Sequence, residues 1–314
     1  MVTRRTKNML TAVTLVVAAA AIVVLWGCSK QPSGAEVSST TPPPEGEQSG
    51  PGTAPAGQEI VLDVYVPCAF ADAATEIAAL FEKANPGVRV NRTVENVSTL
   101  KPRIANGAKP DVFMCIGDRE VIDLEAKGLV DSKRDFCFTS IVLVVPQANP
   151  AKIQTIKDLA KPEVKTIALA ADDVSAGYYA RKVLEENGLW DKVQKKLVRP
   201  KFPVELLKLA SQGKVQASLA YAACFRAEGG DQKQTAAKIK LITDFLDKYC
   251  QSVACSAAVI KGCSNPEQAK AFLDFLTRPE CQEIFAKSGF MKLDDPKCFT
   301  PAGKEKASAS KPSA

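Results

Sequence analysis

Between Ile60 and Leu293 the chain alternates short β-branched runs with amphipathic helical stretches, and this alternation most narrows the folds open to it. Ile60–Val66 reads as a strand that runs into a helix over Ala71–Ala84, where Ala74, Ile77, Leu80 and Phe81 share one face. Asn85-Pro86-Gly87 stops that helix. Val88–Thr93 follows as a strand, then a helix from Ser98 to Asn106 that tolerates Pro102 in its first turn. Asp111–Cys115 is a strand, Arg119–Lys127 a helix closed by Gly128, and the wholly apolar Ile141–Pro146 a buried strand. Thr166–Ala170, Ala217–Tyr221 and Val253–Ile260 also read as strands. Ser175–Asn187 and Val204–Gln212 read as helices stopped by Gly188 and Gly213, and Glu267–Lys287 as a helical pair broken at Pro279. Strands alternating with helices imply parallel, doubly wound sheets, and roughly 240 residues suffice for two lobes with their own cores. In such folds a ligand sits at the carboxyl ends of the strands, where helix N-termini point.

The ends of the chain have a different character. Arg4, Arg5 and Lys7 precede an apolar run from Met9 that closes on Leu25-Trp26-Gly27-Cys28. A basic region, an apolar region and a small residue before cysteine make a secretory signal. The cysteine at the cleavage point resembles the lipobox of bacterial lipoproteins, so Cys28 is expected to become the acylated first residue of the mature protein. An uncleaved membrane-spanning anchor is the alternative, since the run is long enough to span. Either way the remainder works outside the cytoplasm, in the cell envelope. Residues 29–58 are rich in Ser, Pro, Gly, Thr and Glu and read as a disordered tether spanning roughly 30 Å. Residues 297–314 read as a disordered tail.

Composition excludes whole classes of chemistry. The formal charge of +6 falls to +3 when Arg4, Arg5 and Lys7 leave with the signal, too mild for a nucleic-acid surface. There is no histidine, so imidazole-assisted serine or cysteine nucleophiles and His-ligated metals are ruled out. Of ten cysteines, nine remain once Cys28 is acylated, and an odd number leaves at least one unpaired in a monomer.

Three stretches carry a family resemblance. Leu100-Lys-Pro-Arg-Ile-Ala-Asn-Gly-Ala-Lys-Pro-Asp-Val-Phe113 resembles the helix–Gly-Ala-Pro–Asp-Val/Leu-Phe segment of the periplasmic molybdate-binding proteins. Ser175-Ala-Gly-Tyr-Tyr-Ala180 and Gly188-Leu-Trp-Asp191 are similar to that family's Pro-Ala-Gly-x-Tyr-Ala helix and Gly-x-Trp-Asp turn. Phe272-Leu-Asp-Phe-Leu276, Pro279 to Phe285 and Gly289-Phe290 resemble its C-terminal helix pair. The resemblance implies an α/β, two-lobed type II periplasmic-binding-protein fold. Each lobe is then a doubly wound sheet flanked by helices, and two crossover strands join them. Residues 59–138 and 255–296 would form lobe one and 139–254 lobe two. It implies a protein that is no enzyme, binds a small tetrahedral oxyanion of the molybdate or tungstate class and delivers it to an ABC importer permease. A monomer held at the membrane by its lipid is expected, without cofactor or nucleic acid.

Helix N-termini supply N–H donors and about half a positive charge each, which suits such an anion. The ligand is expected at Cys68, Ala69, Ser98, Thr99, Ala176 and Tyr221. The family's first-loop serine falls at Ala69 and its second at Val97, where Ser98 and Thr99 follow directly; a backbone N–H donor falls at Pro203, which has none. Each donor lost is worth about 1.5–3 kcal/mol against a charged group.

Cysteines stand near the missing donors. Cys68 adjoins Ala69, Cys115 ends a strand, and Cys224 lies three residues past Tyr221. Three readings stay open for them: a thiolate set, Cys68, Cys115 and Cys224, for a soft metal or thiophilic oxyanion; structural disulfides; or buried thiols filling core space. Cys250 and Cys255 come closest in sequence, and Cys263 and Cys281 flank a helix at a spacing that could let them pair. A cysteine-dependent enzyme with Cys68 as nucleophile would have only Asp72 or Glu95 nearby as base. Trp190 reads as a core anchor, Tyr221 as a cleft hydroxyl, and Lys192–Lys201 as a solvated face.

Overall fold

In the computed structural model, residues 59–226, 234–242 and 252–295 are described. The signal segment with Cys28, the tether, Cys250 and the tail from residue 297 lie outside them. Among the described residues no helix is long and apolar enough to cross a membrane.

The first sheet starts from β1 (Ile60–Pro67), whose Leu62, Val64 and Val66 alternate inward. It pairs in parallel with β2 (Val88–Glu95) on one side and β3 (Val112–Met114) on the other. Helices α1 (Ala71–Ala84), α2 (Val97–Ala105) and α3 (Arg119–Ala126) follow these strands in turn. The second sheet holds β5 (Ile167–Ala168), parallel to β6 (Leu197–Val198) and β7 (Ala217–Tyr221). Its helices are α4 (Ser175–Glu186), α5 (Trp190–Val193), α6 (Glu205–Ser211) and α7 (Ala222–Arg226).

Two long strands join the halves. β4 (Val130–Pro146) runs antiparallel to β9 (Ser252–Ile260) from Val130 to Ser140, then pairs antiparallel with β7 from Ile141 and with β8 (Ile239–Leu241). The strand order is β2-β1-β3-β9-β4-β7-β5-β6, and helices α8 (Pro266–Leu276) and α9 (Pro279–Lys287) return to the first half. The result is the two-lobed α/β fold. Two details differ from the sequence reading. The sheets are mixed, not parallel throughout, because β4 and β9 run opposite ways as they pass between them. Also, β4 begins eleven residues before the apolar run that marks it, since Val130–Asp135 is largely exposed and is extended by its pairing with β9.

Buried groups fix the turn that leads out of β1. Phe70, fully buried, stacks on Phe290 at 4.2 Å and meets Phe136 of β4 at 5.2 Å and Phe285 of α9 at 5.7 Å. Such contacts add about 0.5–1.5 kcal/mol per pair beyond burial. Asp111, only 2 % exposed, accepts from Asp63 N at 2.8 Å, Asn265 N at 2.7 Å and Asn265 Nδ2 at 3.1 Å. One carboxylate thereby ties β1, the entry to β3 and the start of α8. Gln282 does the same for β4 and α9, donating to Phe136 O at 2.8 Å and accepting from Leu293 N at 2.9 Å.

Candidate functional site

The strands of both lobes end at one cavity of about 290 Å³. From lobe one its wall takes Pro67, Cys68 and Ala69 after β1, Asn96 and Val97 after β2, and Ile116 and Glu120 beyond β3. From lobe two it takes Val174 and Ala176 at the start of α4, Pro203 to Lys208 around α6, and Tyr221 and Cys224 past β7. This is the crevice that strand-end topology dictates for an α/β sheet. Most of the wall is apolar, and among the described residues its charged side chains are Glu120, Glu205 and Lys208.

Of the residues assigned from the sequence, Cys68, Ala69, Ala176, Tyr221 and Cys224 lie on this wall. Ser98, Thr99 and Cys115 do not. Helix α2 starts at Val97 behind Asn96, and each helical residue turns about 100° from the last, so Val97 faces the cavity and its followers rotate away. Ser98 lines a neighbouring pocket of about 180 Å³ with Lys101, Asp173 and Lys201. Cys115 is fully buried in a core cluster with Leu100 and Phe113, its Sγ donating to Gly117 O at 2.7 Å. Among the described residues no three of Cys, Asp and Glu gather as a metal-holding group, so Cys68, Cys115 and Cys224 do not form the expected thiolate set. Among the described residues Cys263 and Cys281 do not pair: both are free thiols, as are Cys68, Cys115, Cys224 and Cys255. Burial pushes the Cys224 thiol up to about 12 and raises that of Cys68, so both are protonated at neutral pH.

The lobes touch directly beside the cavity, through the segment from Ile116 to Glu120. Tyr221 Oη donates to Ile116 O at 2.8 Å, and Tyr179 Oη to Asp118 Oδ1 at 2.6 Å. Ser175 N donates to Glu120 Oε1 at 2.8 Å, Ser175 Oγ donates to Glu120 Oε2, and Arg119 N donates to Ser175 Oγ at 3.2 Å. Gly117, at φ +96°, makes this approach possible, because a β-carbon there would stand 2.3 Å from Ser175 Cβ. The Tyr221 hydroxyl hydrogen is committed to Ile116, so it reaches a ligand only by leaving that carbonyl.

Glu120 is the residue that sequence reasoning missed. It is 1 % exposed, and burial raises its carboxyl pKa against the lowering pull of the two Ser175 bonds. An acid in the first turn of a helix ordinarily reads as a solvent-exposed complement to the helix dipole, and nothing in the sequence separated Glu120 from that role. Trp190 packs on the core under the Arg181 guanidinium, 4.5 Å from its ring centre.

Residues 62–291 match the family of bacterial extracellular solute-binding proteins. Molybdate-binding protein ModA of Escherichia coli is 27 % identical over 238 residues, covering 73 % of this chain and 88 % of its own. YvgL of Bacillus subtilis, named as an ABC transporter substrate-binding lipoprotein, is 24 % identical over 236 residues, covering 74 % of this chain and 87 % of its own. The solved substrate-binding domain named for a molybdenum ABC transporter of Clostridium difficile superposes with a TM-score of 0.55 at 27 % identity, over 74 % of this chain and 99 % of that one. The resemblance to the molybdate-binding proteins is borne out by these relatives. A strand-end cavity between two lobes is a place to hold a solute, and the chain belongs to the bacterial extracellular solute-binding proteins, a family of binders and not of enzymes.

Proposed function

We propose that this protein captures a tetrahedral oxyanion of the molybdate or tungstate class and hands it to an ABC importer permease, anchored to the membrane through acylated Cys28. The convergence of the turn ahead of α1 and the starts of α2 and α4 on one cavity carries this reading. The first N–H groups of a helix have no intrahelical acceptor, and the dipole behind them favours negative charge. Ala69 and Ala176 offer backbone there with no side chain in the way. The named ligands of the relatives point to the same class. Residues 59–138 with 255–296 act as lobe one and 139–254 as lobe two, closing about the strands β4 and β9. Thermal-shift and calorimetric titration with molybdate, tungstate and sulfate test the reading, and stabilisation by none of them overturns it. The anchor is tested by Cys28→Ser: the variant should leave the membrane fraction, and unchanged processing and partitioning would refute the lipoprotein assignment.

A second reading keeps Cys68 and Cys224, because they face one cavity from opposite lobes. A soft metal or thiophilic oxyanion would then bind by displacing thiol protons, and its affinity would fall as pH falls. Cys68→Ser and Cys224→Ser would abolish that binding and leave molybdate affinity nearly unchanged.

A further inference from the structure

We propose that Glu120 makes anion binding proton-linked, so that a dianion enters the cavity together with one proton. The inference rests on the oxyanion reading and adds a specificity residue to it. Its carboxylate already occupies the start of α4, taking the Ser175 N–H at 2.8 Å and the Ser175 hydroxyl, where a bound anion would otherwise find a donor and a favourable dipole. Ser175 brings two donors to this helix start, its N–H and its hydroxyl, and both are spent on Glu120. The carboxylate is almost wholly buried yet forms part of the cavity wall.

The groups around it do not neutralise it. Lys101 of α2 is the nearby cation, and its ammonium is paired with Asp123 at 2.6 Å and donates to Asp173 O at 3.2 Å. Cys115 beyond β3 and Tyr221 of β7 face it as neutral acids, each with its titration raised by burial foremost and by this carboxylate next, and Tyr179 of α4 is raised by burial and then by Asp118. Asp118 and Arg119 adjoin it on its own segment, with Arg119 lying over the Tyr178 ring. Across the cavity stand Glu205 and Lys208, and the thiols Cys68 and Cys224 also line the wall. A dianion brought into this space meets a buried like charge, a juxtaposition that shifts one member toward its protonated form. The proton comes from solvent and adds to one Glu120 oxygen, which changes from acceptor to O–H donor and can then hydrogen-bond the anion.

The test is calorimetric titration of molybdate into the mature protein and its Glu120→Gln variant, between about pH 6.5 and about pH 8.5, in buffers of different ionisation enthalpy. Wild type should lose affinity as pH rises, by up to about tenfold per unit, and take up protons on binding, as linkage requires. Glu120→Gln should bind more tightly at the upper pH, with a flat profile and no uptake. Molybdate binding by wild type that is flat with pH and free of proton uptake overturns the role of Glu120 and leaves the oxyanion reading standing. That buffer measurement on wild type decides the matter alone if the variant fails to fold. Absence of binding by both proteins at every pH overturns the oxyanion reading, and this proposal with it.

Discussion

Replacing Gly177 with alanine tests how tightly α4 is held against the loop after β5. A β-carbon at position 177 would lie 1.9 Å from Ala171 O and 2.5 Å from Ala170 O, where ordinary contact begins at 3.4 Å. The obstruction is backbone, so the helix start must retreat by about 1.5 Å, an overpacking that costs about 1–3 kcal/mol. The Ser175 N–H, now 2.8 Å from Glu120, is carried out of hydrogen-bond reach by such a shift. Losing a bond to a charged group adds about 1.5–3 kcal/mol. For a domain of this size each kcal/mol lowers the melting temperature by about 2–4 °C, so the variant should melt roughly 5–24 °C below wild type. Gly188→Ala is the control: its β-carbon meets nothing within 4 Å, but its φ of +62° strains any L side chain. That strain is worth about 1 kcal/mol, or roughly 2–4 °C. Circular-dichroism melts of the two variants decide it. A Gly177→Ala protein that melts with wild type, or above Gly188→Ala, would show that α4 is not packed against residues 170–171 as described.

Three further outcomes follow from buried polar groups. The native Glu120 carboxyl titrates above its unfolded value, so the native state binds the extra proton between the two; its stability contribution is present below the unfolded value and is lost as pH rises through the native one. Wild type should therefore lose stability relative to Glu120→Gln over that rise in urea melts, and parallel curves would refute it. Asp111→Asn puts an amide donor among three N–H donors and should cost about 2–4 kcal/mol in chemical denaturation, with a change under about 0.5 kcal/mol counting against the Asp63–Asn265 tie. Tyr221→Phe removes the bond to Ile116 O and should destabilise the protein by about 1 kcal/mol while weakening anion binding; if affinity holds, the hydroxyl stays on Ile116 in the complex.

The elements with strong local signals were legible in the chain. Ala71–Ala84 shows one apolar face and a stop at Asn85-Pro86-Gly87, and the helix has those bounds. Ala217–Tyr221 is likewise bounded as read. The first half of β4 was not legible, because Asp131 to Asp135 carry no apolar alternation and are extended only by a partner more than a hundred residues away. At the site, position was legible where a residue ends a strand or starts a helix, as with Cys68, Ala69, Ala176 and Tyr221. Ser98 and Thr99 were misplaced because one residue of helix start decides which side chain faces inward. Glu120 was hidden because its meaning depends on Ser175, fifty-five residues on and in the other lobe.

Direct titration of molybdate into the mature protein tests the central claim. The oxyanion reading predicts one saturable site per chain, and at about 100 times the dissociation constant a stabilisation of about 2.7 kcal/mol, which raises the melting temperature by roughly 5–10 °C. A protein that gives neither heat nor a melting shift with molybdate, tungstate or sulfate, at any pH at which it is folded, would contradict it.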